Sequence, residues 1–149
     1  MIAGKLLPEG LRIRDYEPAD YTAVEQFWNE NGLGGAHRGD DAAVVEQTLN
    51  AGGHLLLLVT DDGMVVGTSW MTNDKRRSYL HHFGIALPFR RMGLATRLLH
   101  ASLEIARADG YQIKIEVHRD NMPAQLLYKK AGFTYLGDYD VLVIRNIHD

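Results

Sequence analysis

Two arginines and a glycine at the start of a predicted helix could bind an anion. The stretch LPFRRMGLATRLL, from Leu87 to Leu99, places Gly93 directly before an apolar helical run. The first amides of a helix have no partner within the helix, and the helix dipole favours negative charge beside them. Gly93 carries no side chain that would hold a phosphate away from those amides. The stretch therefore predicts a pyrophosphate cradle, although a lone glycine also precedes many helices that bind nothing.

The predicted cradle lacks the motifs of the common nucleotide-binding sites. It has neither the G-x-x-x-x-G-K-[ST] of a P-loop nor the G-x-G-x-x-G of a dinucleotide site. Nucleotide hydrolysis and hydride transfer are therefore without their usual signature. A domain that binds a nucleotide in another way stays open at this point.

A tyrosine on a second short helix could donate a proton. In NMPAQLLYKKAGF, the spacing of Asn121, Ala124 and Tyr128 puts all three on one helical face. Asn121 suits the N-cap, and Gly132 ends the helix. The Tyr128 hydroxyl has an ordinary pKa of about 10, so it stays neutral at pH 7 and could protonate a thiolate. A core position, with the hydroxyl bonded to backbone, is the alternative.

A carboxylate on the strand before this helix could accept a proton. The stretch QIKIEVH alternates, so that Glu116 shares one face with Lys114 and His118 while the aliphatic residues share the other. Glutamate has a reference pKa of about 4.3, and a base that works near neutrality would need burial to raise that pKa. We rank Glu116 as the first candidate base, and a solvated strand face is the alternative.

His81 is the second candidate base, because histidine titrates near neutrality. It lies in the predicted strand SYLHHFGIAL, where Tyr79, His81 and Phe83 alternate onto one face. His82 should point the other way unless a bulge at Gly84 shifts the register. Adjacent histidines that project oppositely, without further ligands at metal-binding spacing, argue against a metal site.

Composition favours one domain over residues 1–149. The 149 residues include no cysteine, which excludes disulfides, thiolate zinc sites and cysteine nucleophiles. The formal net charge of -3 argues against nucleic acid as a partner. LLLLV, the longest apolar run, is too short to span a bilayer, and MIAGKLLPEG is too short and too soon broken for a signal peptide. We therefore expect a cytoplasmic protein that binds neither membrane nor nucleic acid.

The elements that must position these residues follow the order β-α-α-β-β-β-α-β-α-β-β. HLLLLVTDDGMVVGTSWM predicts a hairpin that turns at Asp61-Asp62-Gly63. Periodicity predicts a helix from about Leu94 to Ala108 with Gly110 as its left-handed cap, and FTYLGDYDVLVIRNI predicts two final strands around Gly137. A central strand–helix–strand unit implies a parallel pair, while the hairpin implies antiparallel partners. The fold class is therefore α/β, a mixed sheet with helices on both faces.

The two stretches resemble the signatures of one enzyme superfamily. RRMGLA, from Arg90 to Ala95, resembles the [QR]-x-x-G-x-[GA] signature of the GNAT superfamily of acyl-CoA-dependent N-acyltransferases, and NMPAQLLYKKAGF resembles its N-x-x-A-x-x-[LF]-Y-x-x-x-G-F signature. The order of elements is also similar, so the resemblance covers nearly the whole chain. It implies a mostly antiparallel sheet whose two central parallel strands splay apart, with acetyl-CoA bound in the gap and no metal. Many relatives carry proline at the place of Leu87, whereas here the proline is Pro88.

The resemblance also implies a role for each candidate site residue. Acetyl-CoA would be held by strand backbone, by the arginine-rich helix start and by the next helix cap: Phe83, Gly84, Ile85, Arg90, Arg91, Met92, Gly93, Leu94, Ala95, Thr96 and Asn121. Tyr128, also beside CoA, would protonate the departing thiolate. Members with a glutamate at the place of Glu116 commonly use it as the base, and some place a histidine or glutamate on the strand of His81.

The implied activity is transfer of acetyl from acetyl-CoA to a primary amine, which attacks the thioester directly. The glycine-rich stretch from Asn29 to Asp41 would shape the acceptor pocket, and its two acids, Asp40 and Asp41, either attract a cationic amine or cap the next helix. The acceptor is a small molecule or a protein amine, and a homodimer stays open. A non-catalytic acyl-CoA-binding module that regulates a partner is the alternative function.

Overall fold

A five-stranded mixed sheet is the framework of the computed structural model, which describes residues 7–149. The strands lie in chain order across the sheet: β1 is Leu11–Asp15, β2 His54–Thr60, β3 Val65–Asn73, β4 Arg77–Ile85 and β5 Gln112–Ile115. Neighbours from β1 to β4 are antiparallel, and β4 and β5 are parallel. The predicted α/β class, the β2–β3 hairpin and the parallel pair are therefore confirmed.

Four α-helices connect the strands in the described part of the chain. They are α1 Tyr21–Glu30, α2 Ala42–Asn50, α3 Leu94–Asp109 and α4 Met122–Lys130. α3 crosses between the parallel strands and is bounded by Gly93 and Gly110, both with left-handed backbone at φ 75° and 81°. Asp41 caps α2, because its carboxylate accepts a hydrogen bond from the Val44 amide at 2.9 Å.

The two faces of the sheet bury different helices. Helices α1 and α2 cover one face, where the buried residues include Val24, Phe27, Trp28, Val45, Leu55, Leu57 and Trp70. Helices α3 and α4 cover the other, where they include Leu56, Leu58, Met71, Leu80, Leu98, Leu99 and Tyr128. Neighbouring residues of β2 and β3 thus point to opposite faces, as side chains along a strand do. We call these the α1/α2 face and the α3/α4 face.

A bulge in β4 puts both adjacent histidines on the α1/α2 face. The pairing of β3 with β4 shifts between Thr68 and Trp70, and His82 has left-handed backbone with φ 46°. The rings of His81 and His82 both lie near that of Trp70, at centroid distances of 5.7 and 5.5 Å. The prediction that His82 points away from His81 is therefore wrong, because a bulge at His82 itself, rather than at Gly84, shifts the alternation.

The same bulge turns Phe83 to the α3/α4 face. Its ring lies 6.0 Å from that of Tyr128, centroid to centroid, and packs among the residues of that face. The prediction that Phe83 shares a face with Tyr79 and His81 is therefore wrong, since the extra residue reverses the alternation beyond it. Tyr79 and His81 do share a face, with stacked rings 5.8 Å apart.

The parallel pair opens before β4 ends. β4 and β5 are paired from Arg77 and Gln112 to Leu80 and Ile115, and β4 then continues to Ile85. Within residues 7–149, the stretch from His81 to Ile85 therefore has no strand neighbour on its β5 side. This is the splayed central pair that the family resemblance implies.

The last part of the chain differs from its prediction. Residues 134–149 contain no strand, and they expose a series of large apolar side chains: Tyr135, Leu136, Tyr139, Val141, Leu142, Val143, Ile144 and Ile147. The two strands predicted around Gly137 are therefore wrong. An alternating pattern describes side chains only, whereas a strand needs a neighbouring edge to which its backbone can bond. The neighbouring strand β5 is itself short, because it ends at Ile115.

No helix between Leu7 and Asp149 is both long and apolar enough to cross a membrane. Of the N-terminal stretch MIAGKLLPEG, residues 1–6 lie outside the described part. What the sequence predicts for that stretch, and the assignment of residues 1–149 to one domain, stay predictions.

Candidate active site

The gap between β4 and β5 presents the predicted CoA-binding backbone at an open strand edge. Phe83, Gly84 and Ile85 all lie beyond the last paired residues of the two strands. The Ile85 carbonyl accepts a hydrogen bond from Nε of Arg90 at 2.8 Å, which ties the start of the cradle to the strand. An added methyl group at Gly84 would lie 2.9 Å from Cδ1 of Leu33. The glycine therefore lets the loop after α1 approach the strand closely.

The start of α3 has the geometry that an anion cradle requires. Gly93 is the N-cap in the left-handed region, and Arg91 is left-handed as well, with φ 64°. The first hydrogen bond of the helix joins the Arg97 amide to the Gly93 carbonyl at 3.3 Å. The amides of residues 94–96 precede that bond and have no acceptor within residues 7–149, so they can bind an external anion. An added methyl group at Gly93 would meet no atom within 4 Å, so the space beside the turn is open.

Tyr128 is buried on the inner side of α4. The residue is 6% exposed, and its ring lies 6.0 Å from that of Phe83 and 5.5 Å from that of Phe133. Burial raises the pKa of the Tyr128 hydroxyl, which therefore keeps its proton at neutral pH. The hydroxyl forms no hydrogen bond to another residue between 7 and 149. The backbone bond that a purely structural tyrosine would make is thus absent from the described part.

Asn121 caps α4, as the sequence predicts. Its side-chain oxygen accepts a hydrogen bond from the Ala124 amide at 3.3 Å. This bond uses the oxygen and leaves the side-chain NH2 group able to donate. The predicted contact between Asn121 and the CoA arm stays a prediction.

Glu116 lies immediately after β5, where the gap opens. The register of the parallel pair would set it beside His81, but pairing has already ended at Leu80 and Ile115. The Glu116 side chain is exposed. An exposed carboxylate lacks the desolvation that a base near neutrality needs. Glu116 therefore lies at the gap, as predicted, but its side chain is not buried there as a base near neutrality would require.

His81 is half-buried and already hydrogen-bonded. Its Nε2 lies 2.8 Å from Oγ1 of Thr72. Burial lowers the pKa of His81, the neighbouring His82 lowers it further, and Asp40 acts in the opposite direction. A lowered pKa keeps the imidazole neutral but also makes it a weaker base. His81 lies near the gap, yet its surroundings oppose the charge that a base must acquire.

His82 pairs with a carboxylate from the loop before α2, a contact that the sequence does not predict. Nε2 of His82 lies 2.7 Å from Oδ2 of Asp40, and the two side chains are 18% and 23% exposed. The helix-cap alternative for Asp40 is therefore wrong, and Asp41 alone has that role. No sequence signal indicates the pair, because Asp40 and His82 are 42 residues apart and both lie in irregular backbone. Within residues 7–149, no group of three or more acidic or histidine side chains could hold a metal ion.

Two stacked tryptophans support His82. The ring centroids of Trp28 and Trp70 are 5.5 Å apart, and the two rings are stacked. The rings of Trp28 and His82 meet edge to face, with their centroids 4.7 Å apart. Nε1 of Trp28 donates to Oγ1 of Thr68 at 3.0 Å, and this hydroxyl in turn donates to the His82 carbonyl at 2.6 Å. Both the ring and the backbone of His82 are thus held by α1 and β3.

A small cavity adjoins the loop that carries Asp40. It has a volume of about 140 Å³ and is lined by Trp28, Asn29, Gly32, Gly34, His37 and Arg38. Arg38 is exposed, and it forms no ion pair within the described part of the chain. Gly34 belongs to the cavity wall and also lies against the His82 ring. The cavity therefore lies in the loop that the sequence predicts to shape the acceptor pocket.

We expect Gly34→Ala to disturb the pair of His82 and Asp40. Gly34 has φ 112°, and an added methyl group would lie 2.9 Å from Cε1 of His82. The left-handed backbone costs an L-residue about 1–2 kcal/mol, and the contact with the ring adds to that cost. Thermal unfolding should give a lower Tm than in the wild-type protein, and the NMR resonances of the His82 ring should shift.

Gly32→Ala is the matched control for this substitution. Gly32 is also left-handed, with φ 66°, but an added methyl group there would meet nothing within 4 Å. Both variants should lose stability through the backbone, and only Gly34→Ala should also move the His82 resonances. Unmoved resonances in Gly34→Ala would contradict the close contact.

Comparison with known proteins identifies relatives of the chain. The model of the acetyltransferase (GNAT) family matches residues 15–133. L-amino acid N-acetyltransferase AaaT of Escherichia coli K12 is 32% identical, and the match covers 90% of this chain and 89% of that protein. Mycothiol acetyltransferase of Clavibacter michiganensis is 30% identical over 85% of this chain. This chain spans only 44% of that relative's length.

Solved acetyltransferases share the fold. A GNAT-family acetyltransferase from Staphylococcus aureus Mu50 superposes with a TM-score of 0.73 at 20% identity, over 87% of this chain and 89% of that chain. The splayed strands, the glycine-capped helix and the matched family model therefore agree. The chain belongs to the GNAT acetyltransferase family.

Proposed function

We propose that this acyltransferase moves an acetyl group from acetyl-CoA to a primary amine, which attacks the thioester directly. The observation that carries the proposal is the open edge of β4, between the free amides of α3 and the hydroxyl of the buried residue Tyr128. The amides suit the pyrophosphate of CoA. The backbone from Phe83 to Ile85 suits the pantetheine arm, whose own amide groups can pair with a strand edge.

Direct attack requires a proton donor and a proton acceptor. The amine nitrogen forms a bond to the carbonyl carbon, the carbon–sulfur bond breaks, and the CoA sulfur leaves with the electron pair. Tyr128 is protonated at neutral pH because burial raises its pKa, so it can donate to this thiolate. An alkyl amine is cationic at pH 7, with a reference pKa of about 10.4, so a base must take its proton. Tyr128 is on the α3/α4 face, and the candidate histidines are on the α1/α2 face.

For the acceptor we propose an α-amino acid. The Escherichia coli relative that matches over most of its length is named an L-amino acid N-acetyltransferase. In this chain, Arg38 and His37 line the cavity of about 140 Å³, and the Arg38 guanidinium is unpaired within residues 7–149. A guanidinium binds a carboxylate through two parallel hydrogen bonds. The cavity size favours a small acceptor over a long peptide.

A panel of amines tests both the proposed N-acetyltransferase activity and the proposed amino-acid acceptor. We expect release of free thiol from acetyl-CoA with L-amino acids, and slower release with the matching decarboxylated amines. Arg38→Gln should raise KM for amino acids roughly tenfold to a hundredfold, the value of a charged hydrogen bond, and leave KM for the decarboxylated amines unchanged. Arg12→Gln is the matched control, because Arg12 is an exposed arginine on β1, at the opposite sheet edge from β5.

Each remaining outcome selects another function. Turnover with amines but without an effect of Arg38→Gln would remove the amino-acid carboxylate and keep the N-acetyltransferase. Tight binding of acetyl-CoA without turnover on any amine would favour the non-catalytic acyl-CoA-binding module. Tighter binding of ATP than of CoA in calorimetry would favour a nucleotide-binding domain.

A further inference from the structure

We propose that His82 is the general base that takes the proton of the acceptor amine, and that Asp40 positions the His82 ring. The proposal rests on the proposed N-acetyltransferase activity and names the base which that activity needs. It differs from the ranking of candidate bases that the sequence favours, in which Glu116 is first and His81 is second.

His82 is placed where an acceptor amine would meet the thioester. It lies beyond Leu80, the last residue of β4 that is paired with β5, and directly before the stretch from Phe83 to Ile85 that would hold the pantetheine arm. The bulge turns its ring to the α1/α2 face, whereas Tyr128 lies on the α3/α4 face. An amine that approaches from the α1/α2 face would find the base on its own side and the proton donor for the sulfur on the other.

Asp40 holds the ring in the state that a base requires. An ionised carboxylate can only accept a hydrogen bond, so Nε2 of His82 donates to Oδ2 of Asp40 at 2.7 Å and Nδ1 keeps its lone pair. No residue between 7 and 149 donates to Nδ1. The amine nitrogen gives its proton to Nδ1 as its own lone pair bonds to the carbonyl carbon. The positive charge then formed on the ring lies next to the Asp40 carboxylate, which stabilises it.

The other two candidates lack one or more of these features. Glu116 is exposed and has no hydrogen-bond partner among the described residues that would orient it. His81 is bonded to Thr72, and within residues 7–149 no carboxylate lies within hydrogen-bond distance of its ring. Burial also lowers the pKa of His81. Of the two histidines on β4, His82 is the one with both a carboxylate partner and a ring nitrogen that no described residue binds.

The titratable groups around His82 could also contribute to the pH dependence of activity. The groups that face its ring come from every neighbouring element: Trp28 from α1, Trp70 from β3, His81 from β4, and Gly34 and Asp40 from the loop before α2. Among these, His81 and Asp40 are the titratable side chains, and the adjacent cavity adds His37 and the cation Arg38. A loss of activity toward acid can therefore be assigned by substituting His82 and His81 separately.

The test records kcat and kcat/KM against pH with an amine that the wild-type protein acetylates. Asparagine tolerates left-handed backbone, so His82→Asn should fold despite the φ of 46°. We expect it to lower kcat roughly a hundredfold to ten-thousandfold and to remove the acidic limb, with acetyl-CoA affinity in calorimetry unchanged. Asp40→Asn should lower kcat less than His82→Asn does, because the protonated ring loses its anion while the ring itself remains. Asp40→Glu should restore part of the rate.

A second His–Asp pair provides the matched control. Nε2 of His54 lies 3.0 Å from Oδ2 of Asp109, between the start of β2 and the end of α3, and the two side chains are 33% and 29% exposed. His54→Asn removes a comparable ion pair that does not adjoin the gap, and it should keep the wild-type pH profile. A hydrazide acceptor, whose nucleophilic nitrogen is neutral at pH 7, should also reduce the loss seen in His82→Asn.

The outcomes separate this proposal from the proposed function. An active wild-type protein whose acidic limb and kcat survive in His82→Asn overturns the base and keeps the N-acetyltransferase. Loss of the limb in Glu116→Gln or His81→Asn, with its persistence in His82→Asn, assigns the base elsewhere. A wild-type protein that acetylates no amine overturns both proposals.

Discussion

Tyr128→Phe should lower turnover by about a hundredfold to ten-thousandfold while acetyl-CoA binds nearly as tightly as before. The substitution removes only the hydroxyl, because the ring keeps its contacts with Phe83 and Phe133. Within residues 7–149 that hydroxyl has no hydrogen-bond partner, so its removal leaves no buried polar group unsatisfied. Steady-state kinetics with a good amine gives the turnover, and calorimetry gives the affinity.

Tyr16→Phe is the matched control for the loss of a hydroxyl from a buried tyrosine. Tyr16 is also buried, and burial is the main cause that raises its pKa as well. It follows β1 on the α1/α2 face, at the opposite edge of the sheet from β5. Its substitution should leave turnover at the wild-type value. Unchanged turnover in Tyr128→Phe, when chemistry limits the rate, would make Tyr128 a core residue with no part in the mechanism.

The parts of the fold that follow local rules were predictable from the sequence. The β2–β3 turn has left-handed Gly63, and α3 begins and ends at two glycines whose backbone is left-handed. Asn121 caps α4 through a bond to the amide three residues later. Each of these features depends on residues that are adjacent in the chain. The candidate cradle and the position of Tyr128 follow from the same local signals.

The acceptor side of the site depends on long-range pairing, so the sequence could not predict it. The stretch SYLHHFGIAL is consistent with an uninterrupted strand, and the bulge at His82 exists only in its pairing with β3. Thr68 stabilises the bulge by donating to the His82 carbonyl, and Trp28 donates to Thr68 in turn. Asp40 reaches His82 only because the glycine-rich loop folds over the sheet. Three separate segments therefore define one histidine's environment.

One extra residue in β4 also explains how the two candidate proton-transfer groups come to lie on opposite sides of the gap. With regular alternation, His81 and Phe83 would share a face, and His82 would point toward Tyr128. The bulge instead sends His82 to the α1/α2 face and Phe83 to the α3/α4 face, where it packs on Tyr128. In a direct attack on a thioester the base acts on the amine nitrogen and the acid on the sulfur, so two groups on different sides of the gap can serve the two atoms separately. Because of the bulge, the consecutive residues His82 and Phe83 point to opposite faces of the sheet, and so do the two candidate proton-transfer groups, His82 and Tyr128.

Gly93→Val should weaken CoA binding roughly tenfold to a hundredfold, the value of one or two charge-assisted hydrogen bonds. The branched side chain would occupy the open space beside the amides of residues 94–96, where a pyrophosphate would bind. Valine also disfavours the φ of 75°, so the variant should lose stability for a reason unrelated to CoA. Calorimetry with CoA and with pantetheine, which lacks the pyrophosphate, separates the two effects.

Gly110→Val is the matched control, because Gly110 has nearly the same backbone, with φ 81°, and caps the other end of the same helix in open space. Both variants should lower Tm by similar amounts, since the cost of left-handed backbone is shared. Only Gly93→Val should weaken CoA, and neither should weaken pantetheine. If Gly93→Val weakened CoA and pantetheine equally, or if Gly110→Val weakened CoA as much, then Gly93 would serve the folding of α3 rather than the binding of a pyrophosphate.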